Sequence, residues 1–282
     1  MQFWRDVVTS SLAGTPKKEP VAILLAQAAQ TVFEQTKGRG NLSKAWFFRV
    51  ITEREKHLGN PPYPTLDSLE RYAENTYSTL LYLILSALPL SSITADHLAS
   101  HIGKATGVTA VLRGLPLLAF PPPPNHHSNQ EGFGIGTPGR RQGVVTLPLD
   151  IMAFSGVKEE EILRQGSDAP GLRDAVFAVA TRANDHLITA REMLKNIKAG
   201  GDAGHEFEHE EQNLESRDYS NRGESAVQDV EKAFGVFMPA ISTQMWLDAL
   251  QKADFDVFDQ SLRRTDWRLP WKAYWAFQRR KI

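Results

Sequence analysis

Carboxylates, histidines and cations occur in several groups whose spacing could support chemistry, and each group also has a plainer structural interpretation. His97 and His101 are four residues apart, so one face of a helix could present both imidazoles to a divalent metal ion. A zinc protease would have a glutamate where Leu98 stands, and no third ligand is evident nearby. We therefore interpret Asp96 as an acid in the first turn of this helix, with both histidines on its polar or half-buried face.

Three further stretches resemble metal sites in composition only. The segment 200–225 contains eight acidic residues but few large apolar side chains, so it cannot bury enough surface to offset its loss of conformational entropy. We expect it to be a disordered insertion. The proline- and glycine-rich segment 121–139, which includes His126 and His127, is expected to be an irregular loop. The DFDVFD run at 254–259 alternates acids with apolar residues, which favours a packed turn.

The C-terminal segment 263–282 combines cations with aromatic rings. It has seven cationic residues and one acid, Asp266, so its local charge is +6. Indole rings favour the headgroup region of a bilayer and cations bind lipid phosphates, so this segment could attach the protein to an anionic membrane surface. Alternatively, the tryptophans pack on the core and the arginines are merely hydrated. The candidate membrane contacts are Trp271 and Trp275, which share one helical face, and Arg279, Arg280 and Lys281.

Length and composition describe a globular protein and exclude several chemistries. The 282 residues are 41% hydrophobic and 23% charged, and the net charge of -1 argues against a whole-surface nucleic-acid binder. We expect no nucleic-acid partner. Because the chain has no cysteine, it has no thiolate for zinc, iron–sulfur or nucleophilic chemistry. The longest apolar run, 79–90, is too short to span a bilayer, and the first residues show no recognisable targeting signal.

Helical periodicity dominates the chain and predicts an all-α fold. Thr65 precedes the clearest pattern, an apolar stripe from Leu66 to Ala87 that ends before Pro89. No segment shows sustained two-residue alternation, so no sheet is predicted. We expect one domain over residues 1–282. The other predicted helices begin at Pro20, run from 94 until Pro116, cover 158–164 and 172–197, and occupy 226–253, where Pro239 should kink or divide the helix.

Five stretches form a recognisable series: FWRD at 3–6, the helix of 72–88, HIGKATGVTAVLRGLP at 101–116, TLPLD at 146–150, and FDVFDQSL with DWRLPWKAYWAFQRRKI within 255–282. In order and spacing this series resembles the squalene/phytoene synthase family. More narrowly, it is similar to the mitochondrial branch of that family known as complex I assembly factor 6. The resemblance covers nearly the whole chain apart from the acidic insertion. It implies the all-α isoprenoid-synthase fold, a helical bundle.

Active synthases of this family use two aspartate-rich helical motifs, because diphosphate leaves only when magnesium ions held by facing carboxylates neutralise it. The second motif reads approximately QLTNILRDVxED, and the matching stretch here is GVTAVLRGLPLL at 107–118. Thr109 and Arg113 are kept. We expect the first motif, which precedes the stretch matched by 3–6, to be absent from this chain. Where the second motif has polar and acidic residues, this chain has Gly107, Ala110, Gly114, Leu117 and Leu118.

The family's substrate channel is altered as well. Its pattern YxxxVAGxVG keeps small residues where prenyl chains pass, and only Tyr72 matches it clearly. The residues that follow are larger or more polar and would fill space near the pocket. The resemblance therefore implies a vestigial pocket formed by Tyr72, Thr76, Thr109 and Arg113.

Taken together, the resemblance implies a pseudoenzyme without a cofactor or a bound metal ion. It would act in assembly of mitochondrial respiratory complex I (NADH:ubiquinone oxidoreductase), peripheral to the inner membrane on its matrix side. The implied partners are complex I subunits or other assembly factors, and anionic lipid of the inner-membrane surface.

Two alternatives stay open. A prenyl-diphosphate-using transferase of the phytoene or squalene synthase type would need a compensating metal site. A non-catalytic isoprenoid- or lipid-binding module would instead need a retained apolar cavity. The carboxylates available for a compensating site are Asp67, Glu70, Glu74 and Asp185.

Overall fold

The computed structural model describes residues 1–90, 93–121, 143–199 and 222–282. These residues form helices joined by turns and short irregular segments, and none of them lies in a β-strand. The prediction of an all-α fold is thereby confirmed. The predicted loop 121–139, beyond its first residue, and the predicted acidic insertion up to residue 221 lie outside the described residues.

The predicted helices occur where the sequence pattern places them, and the N-terminal region adds two that the pattern did not predict, α1 and α3. Pro239 divides the long C-terminal pattern, as expected, because α11 begins at this residue. The α-helices are, in chain order, α1 (Gln2–Leu12), α2 (Pro20–Gln35), α3 (Lys44–Lys56), α4 (Leu66–Ala73), α5 (Thr79–Ser86), α6 (Thr94–Ala119), α7 (Leu149–Phe154), α8 (Glu159–Gln165), α9 (Leu172–Lys198), α10 (Arg222–Ala233), α11 (Pro239–Lys252) and α12 (Leu269–Arg279).

One predicted boundary is wrong. Pro116 was expected to end its helix, but it lies inside α6, which continues to Ala119. A proline removes the backbone donor that would bond the preceding turn, yet its own carbonyl can still accept a hydrogen bond. Here the Pro116 carbonyl accepts from the backbone N–H of Phe120 at 3.1 Å, so the last turn of the helix forms despite the proline.

The helix that starts at Thr65 begins with a reciprocal cap. The Thr65 hydroxyl accepts from the backbone N–H of Ser68, and the Ser68 hydroxyl oxygen accepts from the backbone N–H of Thr65, both at 3.1 Å. Between α4 and α5 the same helix widens into a π-helical turn, Glu74–Ser78. The Thr79 hydroxyl donates to the carbonyl of Glu74 at 2.9 Å across this turn. Such turns often mark functional positions of a helix.

Helix α6 lies at the centre of the fold and is apolar on nearly every side, because it packs against α4, the π-helical turn, α5, α9 and α11. Two glycines allow close approach. A Cβ at Gly103 would lie 2.3 Å from the Cα of Ser78, and a Cβ at Gly107 would lie 2.5 Å from the Cβ of Ala73. Within the described ranges, no helix combines the length and the apolar character needed to cross a bilayer.

Candidate functional site

A cavity of about 410 Å³ opens between α3, the α4–α5 helix and α6. Tyr63, Tyr72 and Tyr77 line it together with Arg54 and His57, and we call it the tyrosine cavity. Its volume lies within the range of small-ligand pockets. Other lining residues are Ala110, Val111, Gly114 and Leu118 of α6, Thr146, Met1 and the turn 58–61.

The side chains of the tyrosine cavity hold one another in place. Arg54 donates from Nη1 to the hydroxyl oxygen of Tyr72 at 2.6 Å. The ring of His57 packs against both Tyr63 and Tyr72, with centroid distances of 5.3 and 4.7 Å. Burial raises the pKa of both phenols above the ordinary value of 10.0, so both tyrosines are neutral near pH 7.

A buried glutamate, Glu53, helps to position the residues that line this cavity. Glu53 is only 6% exposed, and its Oε2 accepts from Nδ2 of Asn75 and Nζ of Lys56, both at 3.2 Å. Its backbone carbonyl lies 2.9 Å from Nδ1 of His57 and orients that ring. Among the described lining residues of the cavity there is no aspartate or glutamate. The lining is therefore aromatic, apolar and cationic, which does not fit a magnesium ion, because magnesium is bound through carboxylate oxygens.

Helix α6 presents the stretch 107–118, which the resemblance matches to the second synthase motif, to the cavity on one side only. Ala110, Gly114 and Leu118 line the cavity, whereas Gly107 packs against Ala73 and Leu117 is 60% exposed to solvent. Three of the five positions that the resemblance predicts to depart from the synthase motif thus face the cavity, and their side chains offer no metal ligand there.

The four residues predicted to form a vestigial pocket occupy different environments. Tyr72 lines the cavity. Thr76 is buried beneath it, and its hydroxyl donates to the carbonyl of Tyr72 at 2.6 Å. Thr109 is also buried, and its hydroxyl has no hydrogen-bond partner in the described part of the chain. Arg113 is exposed and lies outside the cavity lining.

Glu70, one of the carboxylates considered for a compensating metal site, is bound by two basic side chains. It accepts from Nε of Arg182 at 2.5 Å and Nη2 at 3.1 Å, and Nε2 of His186 lies 2.7 Å from its Oε1. Burial would raise the pKa of Glu70, but hydrogen bonds from His186 and Arg182 outweigh it and lower the pKa to about 2. Asp67 and Asp185 are exposed near the same arginine.

Glu74 is bound in a separate network inside the fold. Its Oε1 accepts from the hydroxyl of Tyr82 at 2.7 Å and its Oε2 from the hydroxyl of Ser100 at 2.9 Å. Burial would raise the pKa of this carboxyl, yet the hydrogen bond from Tyr82 and the charge of Lys104 keep it below its usual value. Over the described ranges, no three histidine, aspartate or glutamate side chains are arranged to hold a metal ion.

The remaining candidate stretches have structural contacts. His97 and His101 are half-buried, and Nδ1 of His101 lies 3.0 Å from Nδ1 of His186 on α9. The DFDVFD run forms a packed turn, as predicted. Arg173 donates to Asp254 at 2.6 Å, the other two carboxylates accept from backbone N–H groups, and the two phenylalanines pack on neighbouring aromatic rings.

The C-terminal helix α12 packs beside α11 and leaves an apolar groove of about 630 Å³. Three tryptophans line it, and Trp267, Trp271 and Trp275 are 73%, 63% and 53% exposed. This exposure does not fit the alternative in which the tryptophans pack on the core. We call this space the tryptophan groove. Its other lining residues are Ile241, Gln244 and Met245 of α11, Arg191 of α9, and Arg268, Lys272, Arg279 and Ile282.

The three predicted cationic membrane contacts differ in environment. Arg279 is exposed, with its guanidinium 5.2 Å from the ring centroid of Trp275, and Lys281 is exposed as well. Arg280 is half-buried and lies 4.1 Å from the ring centroid of Phe277. Its backbone carbonyl accepts a hydrogen bond from Lys198. Arg280 thus packs on the protein itself.

Sequence reasoning missed three of the residues that shape the tyrosine cavity: Arg54, His57 and Tyr63. The sequence signal was the three-residue spacing of Arg54 and His57, which predicts that both lie on one side of the chain if the helix extends to His57; in the structure α3 ends one residue earlier. That spacing is common on solvated helices, so it could not single out a cavity. The contacts with Tyr63 and Tyr72 arise only when α3 packs against the α4–α5 helix.

Comparison with known proteins finds relatives over nearly the full chain. The family model described as squalene/phytoene synthase matches residues 1–275. A Rattus norvegicus protein named NADH dehydrogenase (ubiquinone) complex I, assembly factor 6 is 34% identical over 274 residues, which are 97% of this chain and 64% of that protein. The Homo sapiens protein of the same name is 32% identical over the same shares of both chains. A Drosophila melanogaster homolog is 27% identical over 278 residues, 98% of this chain and 65% of that protein. The chain therefore spans less than two thirds of the length of these relatives.

Proposed function

This chain belongs to the squalene/phytoene synthase family, whose fold is the all-α isoprenoid synthase fold, and from that premise we propose that it acts in assembly of respiratory complex I without catalysing prenyl transfer. The names of its relatives support the assembly role. The observation that supports the absence of catalysis is the wall of the tyrosine cavity, where Ala110, Gly114 and Leu118 offer no metal ligand. By the resemblance to the synthase motif, an active synthase would carry polar and acidic side chains at these positions.

The chemistry of prenyl transfer explains why that wall matters. A diphosphate leaving group needs magnesium ions, and magnesium needs several carboxylates that face one space. The buried carboxylates of Glu53 and Glu70 do not line the cavity and already accept hydrogen bonds from basic or amide groups. Arg54 favours anions in the cavity, and neither Arg54 nor His57 supplies the carboxylate oxygens that magnesium needs. The chain is therefore a pseudoenzyme in this proposal.

We further propose a location on the matrix side of the mitochondrial inner membrane, with α12 as the membrane contact. Complex I subunits or other assembly factors would be the protein partners, and nucleic acid would not be bound. The exposed tryptophans and cations of α12 support the membrane contact. The packing of helices from both halves of the chain around α6 supports a single domain over residues 1–282.

The assembly role can be tested in cells from which this protein has been removed. We expect less mature complex I on native gels, and recovery when a mitochondrially targeted copy is returned. Normal complex I levels in its absence would overturn the role.

The pseudoenzyme state needs a separate assay: the purified protein is incubated with farnesyl or geranylgeranyl diphosphate and magnesium beside a genuine synthase. Product formation would overturn it.

The retained tyrosine cavity favours one second candidate, binding of an isoprenoid or other lipid without turnover. Gly114→Leu would fill the cavity, since a side chain at Gly114 meets no atom within 4 Å at its Cβ. If this variant restores complex I as well as the wild type does, the cavity serves no ligand needed for assembly. If it folds but fails to restore complex I, ligand binding is part of the function.

A further inference from the structure

The tryptophan groove has the features of a binding site for one lipid molecule, and the inference that follows rests on the membrane contact proposed above. We propose that the groove binds a single anionic phospholipid, with an acyl chain between α11 and α12 and the phosphate among the cations at its rim. The site would thus select a lipid, whereas simple adsorption of α12 would only require a negatively charged surface.

The groove is wide and its walls are apolar. Ile241 and Met245 of α11 form one side and the indoles of Trp271 and Trp275 the other. The space of about 630 Å³ lies in the range of pockets that enclose small molecules. More than half of each indole surface remains exposed, although the rings face a groove of their own protein. An acyl chain would cover this surface, and hydrophobic burial would favour its entry.

The rim supplies positive charge that the protein does not neutralise. Arg268, Lys272 and Arg279 line the groove, and across the described ranges none of them lies within ion-pair distance of a carboxylate. Two of these cations instead lie over tryptophan rings, at 5.7 Å for Arg268 and 5.2 Å for Arg279. Guanidinium groups bind phosphate oxygens through paired donors, so the rim suits a phosphodiester.

Arg191 of α9 also lines the groove. It is half-buried, and it donates to Oε1 of Gln244 at 2.8 Å and to the carboxyl oxygen of Ile282, the last residue of the sequence, at 3.1 Å. No aspartate or glutamate lines the groove in the part of the chain that the structure describes. The positive potential that an anionic headgroup would meet therefore comes from Arg268, Lys272 and Arg279 at the rim.

An anionic phospholipid matches both the apolar walls of the groove and its cationic rim. A neutral lipid would cover the indoles but leave the cations without a counter-charge. An acidic peptide would neutralise the cations but leave the apolar space unfilled. Tryptophan and cations on one helix also match the depth at which the phosphate and the first acyl carbons of a bilayer lie.

The decisive probe is dihexanoyl phosphatidylglycerol below its micelle concentration, because it is monomeric and offers no membrane surface. We expect saturable binding of one molecule by the full chain in calorimetry, with a change in tryptophan fluorescence. Dihexanoyl phosphatidylcholine should bind about tenfold more weakly, and glycerol phosphate should not bind detectably. Equal affinity for both lipids, or equal affinity for glycerol phosphate, would overturn the proposal.

Two variants locate the site. Ile241→Trp fills the groove and should abolish binding of the monomeric lipid, while Phe154→Trp, at a residue that is 90% exposed on α7, should not change it. Arg279→Glu should weaken binding of phosphatidylglycerol about tenfold, whereas Arg164→Glu, an exposed charge on α8, should leave it unchanged. Circular dichroism melts confirm folding, and Arg279→Glu carries the test alone if Ile241→Trp does not fold.

Vesicle binding separates this inference from the proposed membrane contact. Ile241→Trp should still sediment with vesicles of phosphatidylcholine and phosphatidylglycerol, because its tryptophans and cations remain. If the wild type binds vesicles but no monomeric lipid, the lipid site is wrong and the membrane contact stands. If it binds neither, both are wrong. If hexaglutamate displaces the monomeric lipid at equal concentration, the groove is a site for an acidic protein partner and the lipid proposal fails.

Discussion

The carboxylate of Glu70 forms a two-point ion pair with Arg182, a residue 112 positions later in the chain, at 2.5 and 3.1 Å. Nε2 of His186 lies 2.7 Å from the same carboxylate, so two residues of α9 hold one residue of α4. Glu70 is 9% exposed. This contact ties the helix that carries Tyr72 to the central pair α6 and α9, and it leaves Glu70 unable to serve as a metal ligand.

Replacing this carboxylate should change both stability and its pH dependence. Glu70→Gln should lower the free energy of unfolding by about 2 kcal/mol at pH 7, because charge-assisted hydrogen bonds from Arg182 and His186 are lost. The pKa of Glu70 is about 2 when folded against an ordinary value of 4.5. Its contribution is therefore present above pH 4.5 and is lost as the pH falls toward 2, because the proton then binds the unfolded state more readily. Urea unfolding at several pH values should show a shallower acid loss for the variant.

An exposed glutamate supplies the control for that experiment. Glu34 lies near the end of α2 and is exposed, so Glu34→Gln should leave both the stability at pH 7 and its acid dependence nearly unchanged. If Glu70→Gln behaves in the same way as Glu34→Gln, the ion pair with Arg182 contributes nothing and α4 is held by apolar packing alone.

Two of the three glycines of α6, Gly103 and Gly114, should respond oppositely to alanine. Gly103→Ala places a methyl group 2.3 Å from the backbone of Ser78, so α6 must move away from the π-helical turn. We expect a loss of about 2 kcal/mol in unfolding free energy. Gly114→Ala meets no atom within 4 Å and should gain up to about 1 kcal/mol from helix propensity. Equal effects in thermal or urea unfolding would mean that the contact with Ser78 is not tight in solution.

A third stability prediction concerns the buried carboxylate of Glu74. Tyr82→Phe removes the hydroxyl that donates to Glu74 at 2.7 Å, and it should cost about 2 kcal/mol because the acceptor is charged and buried. The pKa of Glu74 should rise in this variant. Tyr77→Phe is the matched control, since Tyr77 is half-buried in the tyrosine cavity and makes no hydrogen bond in the described part of the chain. A loss of stability as large in Tyr77→Phe would remove Glu74 as the cause.

The helices that could be predicted from the sequence are those with local signals. Thr65 and Ser68 cap a helix through their own backbone neighbours, and Pro239 fixes the start of α11 through its ring, so neither needs tertiary contacts. The predicted helix end at Pro116 was wrong. A proline near the end of a helix removes one backbone donor, but the last carbonyls of the helix can still accept hydrogen bonds.

The tyrosine cavity could be predicted only in part. Tyr72 and the stretch 107–118 of α6 were predicted from resemblance to a family. Such a resemblance identifies positions in the sequence but gives no distances between side chains. Arg54 lies on α3 and His57 directly follows it, and the mostly polar pattern of α3 does not indicate which face is buried. The exposure of Arg113, and the packing of Arg280 on Phe277, depend on how helices turn against one another, and no spacing in the sequence encodes that rotation.

The environments of three consecutive cations at the end of α12 lead to a prediction that distinguishes surface charge from packing. Arg279→Gln and Lys281→Gln should each weaken binding to vesicles that contain phosphatidylglycerol by about fivefold, since one cation near an anionic surface contributes about 1 kcal/mol. Neither change should alter the melting temperature. Arg280→Gln should instead lower stability by about 1 kcal/mol, because its guanidinium lies over the ring of Phe277, and it should leave vesicle binding nearly unchanged. Co-sedimentation at increasing salt measures vesicle binding of the three variants, and thermal melts measure their stability. If Arg280→Gln weakens vesicle binding and leaves the melting temperature unchanged, this side chain faces the membrane.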